Sequence, residues 1–312
     1  MELNINKCNF CPHNCHVDRT SKKYGVCGAG NLVKVAKAGM HYFEEPCISG
    51  NSCGKCGKND VNLPGSGTVF FSNCNLKCVF CQNHKISQEG YGVEITVEKL
   101  ADIFLKLQSN GAYNINLVSP TIYVLQIIKA LDIAKSNGLN IPVIYNSSGY
   151  EKDDTIELLK GYIDVYLPDF KYFSDEIAFN YSKIKNYFEC ASKAILKMYK
   201  QVGNPIFDNK GIIKSGLIIR HMILPNNTKD TKNILKWVCE NLGNDVYISV
   251  MAQYFPTNRA HEYEKIDRKI NKKELEIVKL YIDKLGFKNG YIQKLGKHEE
   301  EYVPDFNLSG IF

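Results

Sequence analysis

The chain's 312 residues, 44% hydrophobic and 23% charged, have the balance of a globular protein with room for a sizeable core, and exclude a disordered or fibrous chain. Its net charge of +6 is spread over interleaved acidic and basic residues, which argues against the basic stripe of a nucleic-acid binder. No apolar run approaches the roughly 20 residues of a membrane helix, and the start "MELNINKC" lacks a signal peptide's basic and apolar parts, so we expect a cytoplasmic protein with neither membrane nor nucleic-acid partner.

Residues 1–64 read as a Cys-rich amino-terminal extension and residues 65–312 as one α/β unit. Ten of the twelve cysteines precede residue 82: Cys8, Cys11, Cys15 and Cys27; then Cys47, Cys53 and Cys56; then Cys74, Cys78 and Cys81. Disulfides are disfavoured in a reducing compartment, so close-set cysteines point to metal or redox chemistry. "CNFCPHNC" with Cys27 offers four thiolates, enough for a zinc site or an iron–sulfur cluster. "CISGNSCGKC" reads as a glycine-rich insertion. Its three cysteines would complete an auxiliary cluster, shield the main site, or be incidental thiols. Cys190 and Cys239 stand alone in helical stretches and are expected to be small buried hydrophobes.

From residue 67 onward strand and helix signals alternate. "GTVFF" is followed by "TVEKLADIFLKLQSNG", an amphipathic helix with Thr96 as N-cap and Gly111 as stop. "INLV" precedes a helix bearing Val124, Ile127, Ile128 and Leu131. "IPVIY" precedes a short helix near 153–160, and "IDVYLP" a long helical region from Ser174 to about Gln201. "GLIIRHMIL" leads to a helix with Ile234, Leu235, Val238 and Leu242. "DVYISVM" leads to one opened by the capping pair Asn271 and Glu274. Six such rounds with near-continuously apolar strands imply a parallel sheet covered by helices, as a barrel or as an open doubly wound sheet.

In such folds the working groups gather at the carboxyl ends of the strands. The unusual residues fall there each time: the cysteine triplet, Ser119–Pro120–Thr121, Asn146 and Ser148 in "NSSGY", Asp169 and Lys171, His221, and Gln253 with Tyr254. Three cysteines spaced x3 and then x2 can hold three corners of a [4Fe-4S] cube and leave the fourth iron open to a bound cofactor. The competing reading is a structural zinc site that borrows a distant ligand such as His84.

"CNLKCVFC", with Phe80 as the aromatic, resembles the C-x3-C-x-aromatic-C signature of radical S-adenosylmethionine (radical SAM) enzymes. Together with "EEPCISG", "VSPT", "DVYLPDFKY", "IIRHMILP" and "MAQYFP", it resembles an uncharacterised branch akin to pyruvate formate-lyase activating enzymes. The resemblance implies a partial (β/α)6 TIM-like barrel with a Cys-rich extension. It also implies reductive cleavage of S-adenosylmethionine to methionine and a 5'-deoxyadenosyl radical that takes hydrogen from a substrate. The expected substrate is a protein or peptide, for example through glycyl-radical formation in a partner, or else a small molecule, with an electron donor of the flavodoxin or ferredoxin class.

By the same resemblance Cys74, Cys78 and Cys81 ligate the cluster, and Lys171 of Asp169-x-Lys171 meets the methionine carboxylate. Asn146 and Ser148 lie near the ribose or a cation, while Phe80, His221 and Gln253 join the cofactor site. Ser119, Pro120 and Thr121 stand where many relatives carry Gly-Gly-Glu, so the methionine ammonium must rely on hydroxyls or backbone carbonyls. An iron–sulfur or zinc protein that senses redox state or binds a partner without S-adenosylmethionine turnover would explain the first four cysteines but not the six-loop mouth.

Overall fold

The computed structural model describes residues 3–50, 64–296 and 304–312. Cys53 and Cys56 lie outside the described residues. All six expected strands are present and parallel: β2 (Ser66–Phe71), β4 (Ile115–Val118), β5 (Val143–Ser147), β6 (Val165–Pro168), β8 (Ile213–Met222) and β9 (Tyr247–Met251), side by side in that order. Three further strands of this path were not foreseen. β10 (Asn289–Ile292) adds a seventh parallel strand beyond β9, while β1 (Val33–His41) and β3 (Val93–Ile95) extend the β2 edge antiparallel. The strand path ends at β3 on one side and β10 on the other, so the barrel is partial. A short β7 (Ile206–Phe207) pairs with the start of β8.

Strand alternation divides the side chains into two layers. Val143, Tyr145, Tyr166, Leu217 and Ile219 join the large core under the helices, whereas Ile144, Val165, Leu167 and Ile218 form a separate cluster facing the barrel interior. Cys47 and Ile48, on the single turn α1 (Pro46–Ser49), fill that interior cluster. Cys47 is thus packed among aliphatic side chains.

The helices follow the expected signals. Thr96 caps α3 (Val97–Ser109) by accepting from Lys99 N, and Asn271 and Glu274 form the full capping box of α9 (Lys272–Leu285). α2 (His84–Ser87), α4 (Val124–Ser136), α5 (Asp153–Leu158) and α8 (Thr228–Leu242) complete most of the outer layer. The expected long helix after residue 174 is two helices, α6 (Asp175–Ser182) and α7 (Tyr187–Val202), broken where Lys183 and Asn186 take φ of 59° and 53°. Left-handed residues end a helix and release its last carbonyls. Cys190 and Cys239 are half-buried in α7 and α8 rather than fully enclosed. No helix among the described residues is long and apolar enough to cross a membrane.

Candidate active site

The cysteine loop follows β2 and is held by the carbonyls that the broken helix releases. Lys77 N donates to Ser182 O at 3.1 Å and Val79 N to Tyr181 O at 2.8 Å, while Gln88 Nε2 donates to Cys78 O at 2.7 Å. The sulfurs have polar company of their own. Cys78 Sγ lies 2.9 Å from Ser182 Oγ, Cys81 Sγ 3.2 Å from Ser87 Oγ, and Leu76 N points to Cys74 Sγ at 3.4 Å. Burial pushes the Cys74 thiol up to about 12 and the Cys78 thiol up to about 11, against the pull of Lys171 on Cys78; burial also raises Cys81. Such thiols keep their protons until a metal replaces them.

Cys78 and Cys81 open onto a cavity of about 210 Å³ together with Phe80, Asn146, Asp169, Lys171, Arg220 and Gln253. A second hollow of about 620 Å³ runs along β10 and shares Glu44, Arg220 and Gln253 with the first. Cavities of this combined scale take a cofactor and part of a substrate.

Between them stands a buried charge network. Lys171 Nζ lies 2.7 Å from Asp169 Oδ2, and Arg220 Nε lies 2.9 Å from Asp169 Oδ1. Arg220 also donates to Glu44 Oε2 at 3.1 Å and to Asn146 Oδ1 at 2.6 Å. Asn116 and Asn146 each donate a side-chain N–H to Glu44 Oε1. Burial alone would raise the Asp169 carboxyl, but Lys171 and Arg220 outweigh it and hold its pKa below the usual value. Burial likewise opposes the Lys171 ammonium, yet Asp169 and then Cys78 keep its pKa above the ordinary one. Both groups therefore stay charged at neutral pH.

The structure separates the sequence-predicted site residues into two sets. Cys78, Cys81, Phe80, Asn146, Asp169, Lys171 and Gln253 meet at the cavity, and Cys74 lies on the same loop. Ser148, two positions beyond Asn146, has a buried hydroxyl with no hydrogen-bond partner and does not line the cavity. Gly149 next to it has φ of 76°, and a Cβ there would collide with the Asp169 carbonyl, so the turn packs directly on β6. Ser119, Pro120 and Thr121 do not line the cavity; Thr121 Oγ1 donates instead to Glu151 Oε1 at 2.6 Å. His221 also faces away, with Nδ1 at 2.7 Å from Phe170 O and Nε2 at 2.9 Å from Thr231 Oγ1. His84 is 3.8 Å from Glu89.

Arg220, Glu44 and Asn116 are the site residues that the sequence reading missed. The signal for Arg220 was parity: it shares a strand face with Ile218, which is inside the barrel, whereas the neighbouring His221 shares one with Ile219, which is under the helices.

Glu151 is fully buried beside this site and also hydrogen-bonded by Tyr145 Oη at 3.4 Å. Burial pushes its carboxyl up from 4.5 to about 7, with Thr121, Ser147 and Tyr145 restraining the rise. Its folded pKa is raised, so stability is lost as pH climbs from the unfolded value through the folded one. Glu151→Gln should therefore stabilise the protein relative to wild type by about 2 to 3 kcal/mol at alkaline pH and by little at acid pH. Urea denaturation at the two pH extremes checks this, and a pH-independent difference would contradict it.

The donor set fits an iron–sulfur cluster. A cluster asks for single thiolates on separate irons. The loop offers three such thiols, with hydroxyl and amide donors at their sulfurs.

Comparison with known proteins agrees. A model of the Radical SAM superfamily matches residues 68–238, more than half of the chain. The chain is 33% identical over 280 residues to the uncharacterized protein MJ0674 of Methanocaldococcus jannaschii, covering 86% of this chain and 72% of that one. It is 25% identical over 224 residues to the pyruvate formate-lyase-activating enzyme of Clostridium pasteurianum, covering 69% and 86%. Among solved structures it shares the fold of the FeFe-hydrogenase maturase HydG from Carboxydothermus hydrogenoformans, at a TM-score of 0.50, 12% identity and coverage of 76% of this chain and 55% of that one. The chain spans about half the length of the solved structures it matches. The cysteine loop on a partial barrel and the family match over most of its strands make this chain a member of the radical SAM superfamily.

Proposed function

We propose that Cys74, Cys78 and Cys81 hold a [4Fe-4S] cluster and that S-adenosylmethionine binds over it in the 210 Å³ cavity, from which hydrogen is taken from a protein or peptide substrate. The observation that carries this is the convergence of Cys78, Cys81, Asn146, Asp169, Lys171 and Gln253 on one cavity. When bound, the cluster and S-adenosylmethionine supply a one-electron reductive cleavage. The chain's own residues orient the cofactor and exclude water.

Lys171, whose charge acts on Cys78, can turn from Asp169 to an incoming carboxylate, because Asp169 keeps Arg220 as a second partner. Asn146 suits the ribose edge. The wider hollow along β10 is the space left for the substrate. A protein substrate is supported by the likeness to an activating enzyme, whose name states that it acts on pyruvate formate-lyase. The one-electron donor is of the flavodoxin or ferredoxin class.

Lys171→Ala should weaken S-adenosylmethionine binding by about 1.5 to 3 kcal/mol, roughly tenfold to a hundredfold, with the cluster intact. Ser119→Ala should leave that affinity as it is. Unaltered affinity in Lys171→Ala would remove the carboxylate role. The reading as a whole is tested by incubating the anaerobically reconstituted protein with dithionite and S-adenosylmethionine. Release of 5'-deoxyadenosine is expected; its absence would favour a binding or sensing protein.

A further inference from the structure

Two hydroxyls stand in line behind the Cys78 sulfur. Ser182 Oγ lies 2.9 Å from Cys78 Sγ, and Tyr172 Oη lies 2.6 Å from Ser182 Oγ. Both residues are buried, so their hydrogen bonds act where water does not screen them. The other two sulfurs are served differently: Cys81 faces Ser87 Oγ at 3.2 Å, and Cys74 faces Leu76 N at 3.4 Å. Among the described residues, Ser182 is the sulfur neighbour with a second hydroxyl behind it.

The fold holds both residues in place. Ser182 is the last residue of α6, just before Lys183 turns left-handed, and its carbonyl accepts from Lys77 N of the cysteine loop. One residue thus fixes the loop through its backbone and reaches Cys78 with its side chain. Tyr172 follows Lys171, and its ring meets the Tyr187 ring edge-on at 5.3 Å. Tyr187 is anchored in turn, with Oη 2.8 Å from the Asp169 carbonyl oxygen and 2.9 Å from that of Ser148, and it accepts from Lys171 N at 2.8 Å.

The number of protons sets the direction of the line. A thiolate bound to iron only accepts, so the single Ser182 hydroxyl proton points at the sulfur. The Ser182 oxygen is then left to accept, and Tyr172 donates to it. Each hydrogen bond in such a line polarises and strengthens the next. Reduction adds negative charge beside Cys78, and a hydrogen bond into a ligand sulfur stabilises the reduced state more than the oxidised one.

We propose that Tyr172 and Ser182 form a two-hydroxyl line that donates to the Cys78 ligand and raises the reduction potential of the main cluster. This rests on the cluster assignment made under the proposed function. Both are positioning residues: Ser182 acts through Cys78, and Tyr172 acts through Ser182.

The test uses the full chain, reconstituted anaerobically and titrated against redox mediators while its paramagnetic signal is followed. The signal read is the one that changes on adding S-adenosylmethionine, because Cys8, Cys11, Cys15 and Cys27 line a separate small hollow that meets the loop at Asn75, where His13 Nε2 lies 2.7 Å from the carbonyl oxygen. Ser182→Ala should make one-electron reduction roughly tenfold less favourable, a fall of about 59 mV in the midpoint, at unchanged iron content. Ser182→Thr, which keeps a hydroxyl, should restore the wild-type value. Tyr172→Phe should give a smaller fall in the same direction, since Ser182 still donates but nothing fills its oxygen. If Ser182→Ala loses iron, Tyr172→Phe decides the matter alone, because it leaves the sulfur's own neighbour in place. A wild-type midpoint in Tyr172→Phe would overturn the line, and an unchanged or raised midpoint in iron-replete Ser182→Ala would overturn the proposal outright. No S-adenosylmethionine-responsive signal in the wild-type chain would instead count against the main cluster, which keeps the two failures apart.

Discussion

Cys78→Ala is expected to abolish turnover of S-adenosylmethionine and to remove about four irons per chain, since two remaining thiolates cannot hold a cube. Cys78 is held at both its sulfur and its carbonyl. Its sulfur faces Ser182, its carbonyl accepts from Gln88, and it opens onto the cavity beside Lys171. The loop itself should survive the substitution. Its backbone is pinned by the end of α6, so far-ultraviolet circular dichroism should match wild type while iron analysis and deoxyadenosine release fall together. Turnover at the wild-type rate would move the catalytic cluster elsewhere in the chain.

The second large effect is structural. Arg220→Ala should destabilise the fold by about 3 to 5 kcal/mol, because it leaves the buried Glu44 carboxylate without its cation and Asp169 with Lys171 alone. The Glu45 carboxyl is fully buried nearby, raised by burial and by Glu44 and restrained by Arg220, so it too loses its counter-charge. Arg220→Lys should recover part of the loss, as an ammonium can meet one carboxylate but not two carboxylates and Asn146 at once. Urea denaturation midpoints measure both. A near-neutral Arg220→Ala would mean that the network is solvated and not the rigid floor of the cavity.

Much of the fold was legible because parallel strands buried on both faces are written as short apolar runs. "INLV", "IDVYLP" and "DVYISVM" correspond to β4, β6 and β9. β1 was harder. Its "VKVAKAGMH" mixes lysines with apolar residues around a register shift between Val35 and Lys37, so neither the strand nor the helix pattern dominates. β10 has four mostly exposed residues and almost no apolar signal. The helix break at Lys183 left no Gly or Pro to announce it, since a lysine and an asparagine take the left-handed positions.

The site was legible where one short segment carried its chemistry, as in the cysteine triplet and Asp169-x-Lys171. It was not legible where the residues meet only through the fold. Glu44 reaches Arg220 from 176 positions away. Thr121 was expected at the cofactor because its loop follows a strand, but the 3-10 turn Thr121–Tyr123 buries its side chain against Glu151. His221 was picked out as a residue at the carboxyl end of a strand, and its neighbour Arg220 was passed over. Strand parity was the better guide.

The central claim is that three thiolates leave one iron open and that S-adenosylmethionine fills it beside Lys171. Its most direct measurement is the electron paramagnetic resonance spectrum of the reduced, anaerobically reconstituted chain during titration with S-adenosylmethionine. The account predicts a saturable change in the signal, reached at higher concentration in Lys171→Ala. A spectrum indifferent to S-adenosylmethionine at every concentration would contradict it.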